Sequence, residues 1–153
     1  MADVLVVDDD PDIRGMLAFL LEDEGHRVRV AGDGQAGLAA MAERAPDCLV
    51  VDVMMPGLDG FGLLKARRQQ GLAPGARVLI LTCRAGERDF VRGWELGADE
   101  YLTKPFDPVD VVARVAALLA TRPEDLAQRR AAELQKAELL DRLEAAFTRP
   151  TRS

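Results

Sequence analysis

The stretch VVDDDPD, residues 6–12, decides the fold. It ends an apolar run, Val4-Leu5-Val6-Val7, and then sets Asp8, Asp9 and Asp10 side by side. Short runs with no polar alternation read as strands covered on both faces, the pattern of a parallel sheet. Three carboxylates at the mouth of such a strand repel one another, and partial burial makes each costlier. Something positive must offset that cost, or one carboxyl must keep its proton.

Four further apolar runs follow at regular spacing: 28–31, 48–51, 78–81 and 100–102. Between them lie segments with helical periodicity. Ile13, Met16, Leu17, Leu20 and Leu21 share one face, and Val109, Val112, Val115, Ala116 and Leu119 another. The order is β-α repeated five times, which predicts a parallel sheet with helices on both sides. Ligands of such sheets bind beyond the carboxyl ends of the strands, where the winding reverses. The residues just after each run therefore matter most. They are Asp8 to Asp10 after the first, Asp52 after the third, Thr82 and Cys83 after the fourth, and Thr103, Lys104 and Pro105 after the fifth. Taken singly, an Asp or Thr there is a helix cap and a Lys is solvated. Their convergence on one edge is what points to chemistry.

Bulk composition narrows the class. With 153 residues the chain is the size of one domain with an appendage, and 48% hydrophobic content supports a sizeable core. A net charge of −6 argues against a nucleic-acid surface. No stretch approaches the roughly 18 apolar residues of a membrane span. The N-terminus lacks the basic and apolar regions of a signal peptide, so a cytoplasmic location is expected. Two cysteines, Cys48 and Cys83, adjoin or lie within apolar runs and read as buried or half-buried free thiols.

Asp8, Asp9 and Asp52 form an all-oxygen, multiply negative set suited to Mg2+, which takes one or two carboxylates and keeps several waters. Asp10, next to Pro11, reads instead as a helix N-cap. A phosphoryl group at such a site needs charge neutralisation and positioning, for which Lys104 offers a cation and Thr82 a hydroxyl. Asp52 is then the expected nucleophile, forming an acyl phosphate.

These residues resemble the receiver domain of two-component response regulators. The likeness is carried by VVDD (6–9), DVMMPGLDG (52–60), LT (81–82) and GADEYLTKPF (97–106), in matching order and spacing over residues 2 to about 120. It implies a flavodoxin-like doubly wound sheet of five parallel strands in the order 2-1-3-4-5. Asp52 is by this likeness the phosphoacceptor, Asp8 and Asp9 hold Mg2+ directly or through water, and the Met54 carbonyl is a further ligand. Lys104 pairs with Asp52 or the phosphoryl group, and its bond to Pro105 is expected to be cis. Thr82 and Tyr101 correspond to a switch pair. When the Thr82 hydroxyl turns to the phosphoryl group, the Tyr101 ring turns inward and alters the face made by the fourth helix, fifth strand and fifth helix. Met54 and Arg84 occupy two positions beside the phosphoryl group; a bulky apolar residue and a long cation there are expected to screen it from water and slow its loss.

The implied protein is a signalling domain that catalyses only its own phosphorylation and dephosphorylation. Its phosphate comes from a sensor histidine kinase, a phosphotransfer protein or a small acyl phosphate. A haloacid-dehalogenase-type phosphatase is the competing enzyme reading. It needs Thr or Val where Asp12 stands and an acidic pair after its Lys, which does not follow Lys104.

The expected division is a receiver over residues 1–121 and a helical extension over 122–153. Pro123 with Glu124 and Asp125 marks a helix start, and the pattern runs to about Phe147. Leu126, Ala137, Leu140, Leu143 and Phe147 fall on one side, with Leu134 off it. That pattern suits a solvated helix with one apolar stripe or a helical dimer segment, although clean heptads are missing. The receiver most resembles those of winged-helix transcription regulators through ELGAD (95–99) and ARV (113–115), but this tail is too short for a DNA-binding domain. The chain is expected to be a stand-alone receiver or the N-terminal piece of a longer regulator. A homodimer through Phe90, Trp94, Glu100, Asp110 and Arg114, or through the tail, is the expected assembly; Phe90 stands where those regulators usually carry a basic residue.

Overall fold

The computed structural model describes residues 2–83 and 87–148. Its strands are β1 (Asp3–Val7), β2 (Arg27–Ala31), β3 (Cys48–Asp52), β4 (Arg77–Thr82) and β5 (Glu100–Thr103). Its helices are α1 (Pro11–Asp23), α2 (Gly34–Glu43), α3 (Gly60–Gln70), α4 (Glu87–Glu95), α5 (Pro108–Ala120) and α6 (Pro123–Thr148). All neighbouring strands pair in parallel, in the order β2-β1-β3-β4-β5. Each strand includes its apolar run and one or two flanking polar residues, such as Asp3, Arg27, Asp52 and Arg77. Backbone pairing continues past the last apolar side chain because it needs only N–H and C=O groups.

The pleat divides the core into two layers. Leu5, Val7, Leu49, Val51, Val78 and Ile80 face one side, with Met41, Phe61, Leu64 and Trp94. Val4, Val6, Cys48, Val50, Leu79 and Leu81 face the other, with Leu17, Leu21, Val111 and Val115. This alternation is the two-residue period of a strand whose faces are both covered. Helix starts are fixed by carboxylates. Asp10 accepts from the Asp12 and Ile13 N–H groups, Asp33 from Ala36, Asp59 from Gly62 and Asp107 from Val109. The Asp10 cap is the one expected from its place beside Pro11.

The tail differs most from expectation. Helix α6 is not a solvated appendage, because it lies along α4. Leu126, 4% exposed, joins the layer of α1 and α5, whereas Ala137 joins the layer of Phe61 and Trp94. The helix thus passes around the β5 end of the sheet. Leu134, which lay off the expected stripe, packs against the core, while Leu140, Leu143 and Phe147 are exposed. Arg129 and Arg130 add polar ties, from Arg129 Nη2 to the Asp99 carbonyl at 2.7 Å and from Arg130 Nη1 to the Asp99 carboxylate at 3.6 Å. The same strand edge holds an Arg114–Glu100 ion pair at 2.9 Å and an Arg129–Glu100 pair at 3.7 Å.

The two cysteines are both free, and only Cys48 is buried; Cys83 is exposed at the sheet's carboxyl edge. Burial pushes the Cys48 thiol up to about 12.

Because Leu126 is enclosed and Leu143 is not, truncating the two should differ sharply. Leu126→Ala should cost about 2–5 kcal/mol in urea unfolding, the range for an enclosed leucine, and Leu143→Ala less than about 1 kcal/mol. Equal small losses would mean that α6 does not pack on the body in solution.

Candidate functional site

Strand order places the site. β1 and β3 are neighbours, with Val7 paired to Val51, so the residues that follow each strand emerge side by side. Asp8 is wholly buried and Asp52 is 3% exposed. Asp9, one residue further along the loop, is exposed. One carboxylate oxygen from each of the three lies within 4.8 Å of the others.

Lys104 reaches this cluster from beyond β5. Its Nζ lies 3.2 Å from Asp8 Oδ2 and 3.2 Å from Asp52 Oδ2. The peptide joining Lys104 to Pro105 is cis, as expected. The Lys104 backbone N–H donates to the Thr82 carbonyl at 2.7 Å, tying the loop to the end of β4. Backbone donors restrain the carboxylates further. The Asp10 N–H donates to Asp8 Oδ1 at 2.9 Å, and the Met54 N–H donates to Asp52 Oδ1 at 3.0 Å. Burial, with Asp8 alongside, pushes the Asp52 carboxyl above its usual range, against the pull of the Met54 N–H and Lys104. Burial disfavours the Lys104 ammonium, but Asp52 and Asp8 outweigh it and hold the group above its ordinary value. Two buried carboxylates therefore share one ammonium, with a third carboxylate at the rim. That balance accommodates a further cation.

Thr82 is buried at the carboxyl end of β4, paired across the sheet with Thr103. Met54, two residues past Asp52, is 43% exposed, with its sulfur 2.9 Å from the Cys83 thiol. Arg84 lies outside the described residues. Tyr101 stands one strand away. Its hydroxyl donates to the Asp89 carbonyl of α4 at 2.9 Å, and its ring meets Phe90 and Trp94 edge-on at 4.7 and 5.3 Å. Burial, then Asp89, pushes the Tyr101 phenol up. Glu100 and Arg114 pair within the chain, and Asp110 is exposed on the first turn of α5.

Two supporting residues have roles that only the packing shows. A Cβ on Gly60 would sit 2.5 Å from the Asp52 carbonyl oxygen, so the start of α3 can close on the strand end only with glycine. Arg14 donates to the Asp8 carbonyl at 2.7 Å from one turn into α1. Gly60 closes the DVMMPGLDG motif, which marks the position without giving its reason; for Arg14 the sequence carries no signal, because a basic residue on a helix is ordinarily solvated.

The acidic cluster, the bridging lysine and the sheet order have close counterparts among known proteins. The chain matches the response regulator receiver domain over residues 4–116. It is 39% identical over 125 residues to the DNA-binding response regulator MtrA of Mycolicibacterium smegmatis, covering 82% of this chain and 54% of that protein. It is 47% identical over 116 residues to the alkaline phosphatase synthesis transcriptional regulatory protein PhoP of Bacillus subtilis, covering 76% and 48%. Among solved structures, the chemotaxis protein CheY4 of Vibrio cholerae superposes with a TM-score of 0.72 at 35% identity, covering 77% of this chain and 98% of that one. The chain spans about half the length of the relatives it matches. Among the described residues no helix is long and apolar enough to cross a membrane. With its five-stranded 2-1-3-4-5 sheet and the carboxylates of Asp8, Asp9 and Asp52 gathered at one edge, the chain belongs to the response regulator receiver family and is a receiver domain of two-component signalling.

Proposed function

We propose that Asp52 is the phosphoacceptor of this receiver and that its phosphorylation is the signal the domain transmits. The observation that carries the reading is the pair of buried carboxylates, Asp8 and Asp52, each 3.2 Å from the single ammonium of Lys104. A purely structural site would pair one carboxylate with one cation; a surplus anion kept at a strand end calls for a ligand.

The donor set fits Mg2+. Asp8, Asp9 and Asp52 are hard oxygen ligands, and the Met54 carbonyl is the expected fourth. A bound Mg2+ supplies charge neutralisation at the phosphoryl oxygens. The chain's own residues do the rest. An Asp52 carboxylate oxygen attacks phosphorus, forming the O–P bond as the bond to the donor's imidazole nitrogen or acyl oxygen breaks and the donor keeps that electron pair. Lys104, already between Asp8 and Asp52, follows the charge onto the phosphoryl oxygens and holds them by charge-assisted hydrogen bonds. Thr82 donates its hydroxyl to a phosphoryl oxygen, and the Tyr101 ring, bonded to α4 in this structure, turns inward in response.

The donor is a sensor histidine kinase, a phosphotransfer protein or a small acyl phosphate, in the cytoplasm. Self-phosphorylation and self-dephosphorylation are the only reactions assigned to the chain. Because it covers about half of its DNA-binding relatives, a second reading makes residues 1–121 the receiver of a longer transcription regulator, with 122–153 the start of the segment that follows.

Incubation with Mg2+ and acetyl phosphate should add one phosphoryl mass to the intact chain, and Asp52→Asn should abolish the addition. Equal labelling of the variant would remove the assignment. Persistence of the label is a separate expectation. Met54 is apolar and stands two residues past Asp52, and Arg84 is long enough to screen the line of approach opposite the Asp52 oxygen. The double variant Met54→Asn, Arg84→Glu should lose its phosphoryl group at least about tenfold faster, the effect of ~1.4 kcal/mol on the barrier. Identical decay of variant and wild type would refute the shielding.

A further inference from the structure

The face made by α4 and β5 is already occupied by the chain itself. Helix α6 lies along α4, and its Arg129 and Arg130 hold Asp99 and Glu100, the two residues that precede Tyr101. Arg130 Nη1 also donates to the Gly97 carbonyl at 3.4 Å. Tyr101 is bonded to α4 through the Asp89 carbonyl, and Phe90 and Trp94 close around its ring. A Cβ on Gly93 would lie 1.5 Å from the Tyr101 hydroxyl, so this ring position fills the space the glycine leaves open.

A groove of about 330 Å3 runs along the seam, lined by Phe90, Trp94 and Tyr101 and by Ala137 and Leu140 of α6. Ala137 is buried in the same apolar cluster as Trp94, but where the groove runs its two walls are not in contact. The helix is therefore not held over Tyr101 by a filled seam. Its firm attachments are Leu126 and Ala137 and the arginine ties at residues 97–100. Those ties grip the turn that leads into β5 and Glu100, its first residue, next to Tyr101. Any displacement of Tyr101 thus acts on both supports of α6, namely α4, to which the hydroxyl is bonded, and the entry to β5, to which the arginines are bonded.

We infer that α6 is a built-in occupant of the α4–β5 face and that phosphorylation of Asp52, through Tyr101, loosens it and uncovers that face. This rests on the phosphoacceptor reading and adds to it what covers the output surface before the signal arrives. The unphosphorylated chain hides Phe90, Trp94 and Ala137 from partners, and the phosphorylated chain presents them together with the stripe of Leu140, Leu143 and Phe147. A partner for the uncovered face must offer an apolar stripe with basic residues beside it to meet Asp99 and Glu100, as α6 does.

Hydrogen exchange of the full chain, read by mass spectrometry, tests this directly. A free helix of mixed charge is marginal in water, so amides of residues 123–140 depend on packing for protection. After acetyl phosphate and Mg2+, peptides from 87–95 and 123–140 should exchange at least about tenfold faster in the phosphorylated species, with no change in Asp52→Asn. A chain that gains the phosphoryl mass but exchanges there at an unchanged or slower rate would overturn the inference. The double variant Arg129→Ala, Arg130→Ala should give the fast pattern without phosphorylation. Unchanged protection in that variant would show that the arginines do not hold α6 and would equally overturn it. A chain that gains no mass contradicts the phosphoacceptor reading instead, and the arginine variant then decides whether α6 is held as described.

Discussion

Two buried carboxylates sharing one ammonium is the constraint on which the rest of the structure depends. Asp8 and Asp52 each lie 3.2 Å from Lys104 Nζ, and no folded arrangement of these three groups is electrically balanced. The fold exists to impose that arrangement. Adjacent β1 and β3 bring the two acids together, the cis Lys104–Pro105 peptide follows β5, and backbone donors at Asp10 and Met54 fix the remaining oxygens. The apolar layers on either side of the sheet supply the stability from which this unfavourable electrostatics is drawn.

That imbalance makes the site responsive. A ligand that brings cationic charge is favoured by the surplus carboxylate, and one that brings a phosphoryl group alters what Lys104 and Thr82 must satisfy. Thr82 ends β4 and is paired with Thr103 of β5, whose neighbour Lys104 donates to the Thr82 carbonyl. Two residues before Thr103 stands Tyr101, bonded to α4. The physical path from acid cluster to outer surface is therefore one strand pair and one aromatic ring, linked by hydrogen bonds, the β5 backbone between Thr103 and Tyr101, and ring contacts.

The parallel sheet and the acid cluster were legible because they rest on short-range signals, unbroken apolar runs and carboxylates immediately after them, whereas the strand order came only with the family resemblance that the motifs carry. What was not legible depends on distant packing. Gly60 matters only because α3 closes on the Asp52 carbonyl, and nothing local announces that approach. Helix α6 reads as solvated or as a dimer segment because its apolar stripe is interrupted by Glu133 and Glu144 and lacks clean heptads. Arg129 and Arg130 meet Asp99 and Glu100 beside the β5 edge, so residues that look like an exposed face are ties to the body. Glu100 and Arg114, expected at an interface, pair with each other within the chain.

If the site is held together against its own charge, neutralising one acid should relieve it. The most direct measurement is the urea unfolding free energy of wild type and Asp52→Asn, first with chelator and then with Mg2+. The account predicts that the variant is more stable than wild type in chelator, by on the order of 1 kcal/mol, because Lys104 then serves Asp8 alone. It also predicts that Mg2+ stabilises wild type more than the variant. A variant less stable than wild type in chelator, with equal gains from Mg2+, would contradict it.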